Sequence, residues 1–164
     1  PADPVVDFDK ELRKFVADLT ETLLDAGGAG LAAPQLGVGL RVAVVDDQRE
    51  PPLALIDATV VERGGNTPAE VEECASLPGL SCVVERSERL RVRNHTLAGE
   101  PYEFDADGER ARLIAHALDH LDGVLISDHA RGGLHESDLD RLVEDELKLA
   151  LGGPPPPSAR RRRR

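Results

Sequence analysis

Methionine is missing altogether from this sequence, so the chain does not start at an initiator residue, and part of its front is expected to lie ahead of Pro1. Aromatic side chains are scarce at 2%, yet a 40% apolar share is enough for a compact core, and 164 residues fit one domain. Cysteine is scarce too. Cys74 and Cys82 do not make the dense disulfide framework of a small secreted domain, and free thiols, one of them a ligand, are expected. No run approaches the roughly 18 consecutive apolar residues a membrane span needs, and no basic segment followed by an apolar one opens the chain. Positive charge is short: 20 basic against 31 acidic residues give a net charge of −11, which argues against a body built to grip nucleic acid or an anionic membrane. A soluble, cytoplasmic, monomeric protein acting on a small or polar substrate is the expectation.

Between these absences a pattern of elements is legible. Asp9 caps a helix in which Leu12, Phe15, Val16, Leu19, Leu23 and Leu24 recur at helical spacing, and Gly27 and Gly28 end it. Leu40 to Val45, Leu53 to Val61 and Leu90 to Thr96 carry β-branched residues between turn formers and read as strands. Leu90 to Thr96 and Tyr102 to Asp105 flank Leu97, Ala98, Gly99 and Glu100 and predict a hairpin. Asp107 opens a second helix running to about Leu121 and stopped by Gly123, and a third is expected from Ser137 to Leu151. Residues 1–151 thus form the expected domain. Residues 152–164, with four prolines and five arginines, form an expected disordered or extended tail.

His116 and His120 stand four apart in the second helix, which stacks their side chains with Cβ atoms about 5–6 Å apart, able to converge on one ion. The alternative places one histidine in the core and the other in solvent. Cys74 can add a thiolate from a strand and leave a fourth position open, the ligand count of a catalytic site; a buried structural cysteine is the competing reading. The segment Gly28 to Gln35 (GAGLAAPQ) has no Lys-Ser/Thr ending and follows a helix, so it is not read as a phosphate loop. Its small residues, with Leu31, let backbone approach a neighbouring strand or an extended ligand, and the Gln35 amide can donate to a carbonyl oxygen. A plain tight turn is the alternative. His95, His129 and His135 fall outside these segments and are expected to be ordinary surface histidines.

Three segments resemble, in order, the three motifs of the peptide deformylase family. Gly28 to Gln35 is similar to G-x-G-x-A-A-x-Q, Glu72 to Ser76 to E-G-C-L-S, and Ala115 to Leu121 to Q-H-E-x-D-H-L. The likeness runs from about Asp3 to His129 and includes Phe8 to Leu12, Leu77 to Gly79 and Leu121 to Leu125. The resemblance implies an α+β fold with short antiparallel sheets around a central metal-binding helix, and Cys74, His116 and His120 on one iron(II) or zinc ion, for which nickel or cobalt can substitute. It implies removal of the formyl group from N-formylmethionyl nascent chains, with the oxyanion held by Gln35 and the backbone N–H of Ala75, and the peptide lying along Gly28, Gly30 and Leu31. Asp119 matches a motif position that can support the site from behind the ligands.

The sequence departs from the family at the residue that would move the proton. Ala117 stands where the family has its general-base glutamate, and a methyl group can neither accept a proton nor pass one on. Glu73 replaces glycine, Ala75 leucine and Ala115 glutamine. With the metal trio kept, this suggests a paralogue diverged from a housekeeping deformylase. A substitute base or new ligand role for Glu73 is one expectation; strand alternation can equally turn it away. The leading expectation is an amide hydrolase acting weakly, or on a specialised N-formyl or small amide substrate. A non-catalytic metal- and peptide-binding protein and a repurposed acyl or formyl transferase are the competing ones. Arg160 to Arg164 allow a weak ribosome contact, without specific nucleic-acid recognition.

Overall fold

The computed structural model describes residues 1–48 and 51–129. The chain forms α1 (Lys10–Ala26), β1 (Gly30–Ala32), a 3-10 turn at Ala33–Leu36, β2 (Val42–Val45), β3 (Leu53–Ile56), β4 (Thr59–Gly64), β5 (Ala69–Glu73), β6 (Ser81–Glu85), β7 (Arg89–His95), β8 (Pro101–Asp107), α2 (Gly108–Asp122) and the single turn α3 (Ile126–His129). The fold is α+β. All strand pairs within the three small sheets, β1-β2-β3, β4-β7-β8 and β5-β6, are antiparallel.

The caps at Asp9, Gly27 and Gly123 behave as their residue types dictate, whereas Asp107 precedes α2 without a side-chain capping bond. The Asp9 carboxylate accepts from the N–H groups of Glu11 and Leu12 at 2.9 and 3.0 Å, and Gly27 closes α1 with φ at 63°. Gly123 ends α2 in the same left-handed conformation, donating its N–H to Asp119 and His120 carbonyls.

The β1-β2-β3 sheet is apolar on both faces. All four residues of β2, Val42, Ala43, Val44 and Val45, are fully buried. By strand alternation Val42 and Val44 pack with Leu12, Val16, Leu19 and Leu23 of α1, while Ala43 and Val45 pack with Ala111, Ile114, Ala117 and Leu121 of α2. Each fully buried Val, Leu or Ile contributes roughly 1.5–3 kcal/mol of transfer free energy, so this strand fixes α2 against the sheet. Asn94 ties the neighbouring sheet to it: buried on β7, it accepts from the Ile56 N–H at 2.7 Å and donates to the Ala54 carbonyl at 2.8 Å.

Several expectations need correction. Leu53 to Val61 is two strands in two sheets, broken at Asp57, which adopts φ of 50° while its carboxylate accepts the Val5 N–H. The strand expected from Leu40 starts at Val42, because Leu40 makes only an isolated bridge with Asp3. The hairpin is longer on both sides, from Arg89 and to Asp107. The expected third helix, the arginine tail and His135 lie outside the described residues. Among the described residues no helix is long and apolar enough to cross a membrane.

Candidate metal centre

The second half of α2 and the end of β5 bring three donor atoms together. His116 and His120 share one face of α2, and Cys74 lies directly after β5 instead of within it. The Nε2 atoms of the two histidines are 3.2 Å apart and the Cys74 Sγ is 3.3 Å from His120 Nε2; all three donor atoms lie within 4.8 Å of one another. Tetrahedral bonds of usual length to nitrogen and thiolate sulfur give edges of about 3.3 and 3.6 Å, so the 3.2 and 3.3 Å separations stand near the spacing that one ion requires. Cys74 and His120 are buried at 7% and 8% exposure. Burial, helped by the neighbouring His116, lowers the His120 pKa and keeps its imidazole neutral, the form that ligates. Cys74 and Cys82 are both free thiols; burial and the Glu72 charge raise the Cys82 pKa, so Cys82 is held as an inert thiol.

The residue that organises this centre is Glu72, for which sequence reasoning assigned no role. It faces inward on β5 while its neighbour Glu73 faces out, as strand alternation requires. The buried Glu72 carboxylate accepts from Arg86 Nε at 2.6 Å, Arg86 Nη2 at 2.8 Å, Arg112 Nη1 at 2.6 Å and His116 Nδ1 at 3.0 Å. Because a carboxylate can only accept, the His116 proton sits on Nδ1 and the Nε2 lone pair is left facing Cys74 and His120. Burial alone raises the Glu72 pKa, but the bonds from His116, Arg86 and Arg112 outweigh it and bring it down to about 2. Arg86 also reaches Asp119 at 2.9 Å, and Asp119 accepts from His129 Nε2 at 2.7 Å. His129 is therefore not an ordinary surface residue. Nor is His95, which is half-buried against Phe8 and the Ile56 carbonyl.

The other singled-out residues gather at the same end. Gln35, on the 3-10 turn, accepts the Ala32 N–H on its side-chain oxygen at 2.9 Å and turns its NH2 to the Ser76 hydroxyl at 3.0 Å. The exposed Ala75 is the residue before Ser76, so its backbone lies at the same place. Gly30 and Leu31 belong to β1, the edge strand of its sheet, with Gly28 just before it. Glu73 accepts from the Ser81 hydroxyl at 3.1 Å on the exposed face and does not join the three-atom cluster. Ala117 is 3% exposed within the apolar cluster of α2 and the central sheet.

A buried thiol and two imidazoles, with amide donors close by, form the kind of donor set that mononuclear metallohydrolases use. Comparison with known proteins agrees. The polypeptide deformylase family model matches residues 1–134. The chain is 41% identical over 141 residues to peptide deformylase 1 of Bacillus cereus, covering 85% of this chain and 90% of that one. The crystal structure of the Thermotoga maritima peptide deformylase superposes with a TM-score of 0.74 at 38% identity, over 79% of this chain and 87% of that chain. That of the Synechococcus elongatus peptide deformylase in complex with actinonin superposes with 0.76 at 34% identity, over 95% and 84%. The chain belongs to the peptide deformylase family, whose members are metal-dependent amide hydrolases.

Proposed function

We propose that Cys74, His116 and His120 hold one divalent ion, iron(II) or zinc, and that this centre hydrolyses the formyl amide of an N-formyl peptide, or a related small amide, at a rate limited by proton transfer. The observation that carries the reading is the preorganised trio, with His116 fixed by Glu72 in the ligating tautomer. A bound divalent ion supplies Lewis acidity toward the amide carbonyl and makes water nucleophilic at neutral pH.

The protein's own groups do the rest. Gln35, its oxygen pinned by Ala32, presents NH2 protons toward the oxygen that gains charge as the carbonyl is attacked, and the Ala75 N–H is the second donor. The edge strand β1 can pair with an extended peptide through the backbone of Gly28, Gly30 and Leu31. Glu73 is poorly placed as a substitute base, since its carboxylate is turned to Ser81. A methyl group at residue 117 leaves water and leaving amine without a positioned proton carrier, which removes about 10²–10⁴-fold of rate. The apolar surroundings of Ala117 also favour a second reading, peptide binding without turnover.

Formate release from a formyl peptide by the metal-loaded protein tests both. Slow release, raised about 10²–10⁴-fold by Ala117→Glu, is expected. Peptide binding without release from either protein would overturn the hydrolytic reading in favour of the second.

A further inference from the structure

A cavity of about 550 Å³ opens beside the metal centre, with His116 and Glu72 in its wall. It runs between β5 and the start of α2. His116 belongs both to the metal centre and to this wall, so the cavity adjoins any group whose carbonyl is held at the ion. The lining is charged: five glutamates, Glu70, Glu72, Glu73, Glu88 and Glu109, against two arginines, Arg86 and Arg112.

Both arginines are spent within the wall. Arg112 gives Nε to Glu70 at 2.9 Å, Nη1 to Glu72 at 2.6 Å and Nη2 to the Pro68 carbonyl at 3.0 Å. Arg86 is divided between Glu72 and Asp119. Glu73 and Glu88 are met only by a hydroxyl and a backbone N–H, from Ser81 and Asn66. Among the described residues neither they nor Glu109 pairs with a cation. Among the described residues the cavity thus offers acceptors and negative charge, without a free cationic donor, above the apolar flanks of Pro68, Val71 and Leu113.

We propose that this cavity selects the side chain next to the scissile amide, and that it takes an aliphatic stem ending in a cation, as in lysine or arginine, with Glu88 and Glu109 as specificity-determining residues. The N-formylmethionyl side chain implied by the family resemblance has no charge to meet them. The inference rests on the metal-centre reading above and names its substrate class.

The test uses binding, so that it does not depend on turnover. Two peptide hydroxamates, alike except for an n-butyl or a 4-aminobutyl side chain at this position, are titrated into the zinc-loaded protein and into its Glu88→Gln/Glu109→Gln variant. The aminobutyl compound is expected to bind at least about tenfold tighter at low ionic strength, with the preference shrinking as salt shortens the screening length to a few Å. The variant is expected to lose most of that preference while its affinity for the butyl compound stays the same, which also shows that it is folded. Equal or tighter binding of the butyl compound by the unsubstituted protein overturns the inference and leaves the metal centre standing. Failure of both hydroxamates to bind overturns the metal-centre reading and this inference with it.

Discussion

Replacing Glu72 by glutamine separates the part of the site that holds geometry from the part that moves protons. The side chain is 6% exposed and accepts four hydrogen bonds, three from guanidinium groups and one from His116. Glutamine keeps the shape but carries no charge, and its NH2 must face at least one N–H donor. Breaking a buried ion pair costs about 3–5 kcal/mol. Here Arg86 keeps Asp119 and Arg112 keeps the more exposed Glu70, so the lower end, about 3 kcal/mol, is expected for the metal-free protein. The orientation that keeps the amide oxygen on Arg86 Nε and Arg112 Nη1 turns the NH2 toward His116, which then loses the acceptor that fixes its tautomer, weakening metal affinity by about 10–100-fold. Urea unfolding of the metal-free protein reads the first quantity, and zinc competition against a chelator of known affinity reads the second. Glu73→Gln, on the outward face of the same strand, is expected to leave both nearly unchanged. If Glu72→Gln instead binds zinc within about twofold of the unsubstituted protein, the claim that this carboxylate orients His116 is wrong.

Two further outcomes follow from the same geometry. The Glu72 pKa is lowered from 4.5 to about 2 in the folded chain, so its contribution is complete above the unfolded value and lost as pH falls through the folded one; stability of the metal-free protein should drop by about 3 kcal/mol between those values. A denaturant titration series that shows no such fall, or the same fall in Glu72→Gln, contradicts this. Gln35→Leu keeps the side-chain volume but removes the NH2 donor, and formyl-peptide turnover should fall by about 10²–10³-fold with metal affinity unchanged; an unaltered rate in the Ala117→Glu background, where turnover is fast enough to compare, would remove Gln35 from the reaction.

The parts of this molecule legible in its sequence are those specified locally. Asp9, Gly27 and Gly123 mark helix ends because a capping carboxylate and a left-handed glycine act on neighbours within one turn. His116 and His120 declare a shared face by their spacing alone. The β5-β6 hairpin was not legible, because β5 reads AEVEE, with one β-branched residue among charges, and owes its existence to cross-strand pairing and to a buried carboxylate. The partners of that carboxylate, Arg86 and Arg112, stand 14 and 40 residues away in sequence, and nothing local points to them. One signal was available: Glu72 lies two residues before Cys74, so an extended chain puts both on the same side.

On the proposed function, that arrangement leaves the metal centre independent of the alanine at position 117. The support of His116 runs through Glu72 to Arg86 and Arg112, and from Arg86 to Asp119 and His129. Residue 117 has no part in this chain of charges; its methyl group lies in the apolar cluster that also holds Ile114 and Leu121, next in the chain to His116. A carboxylate there must be desolvated beside the metal centre, and the methyl group avoids that cost. On the proposed function, metal geometry and proton transfer are therefore carried by different residues. Ala117→Glu should change the rate while leaving metal affinity within a few-fold, and Glu72→Gln should change metal affinity whichever residue stands at 117. The two effects on folding and metal binding should be additive in the double variant, as is expected of groups that share no partner.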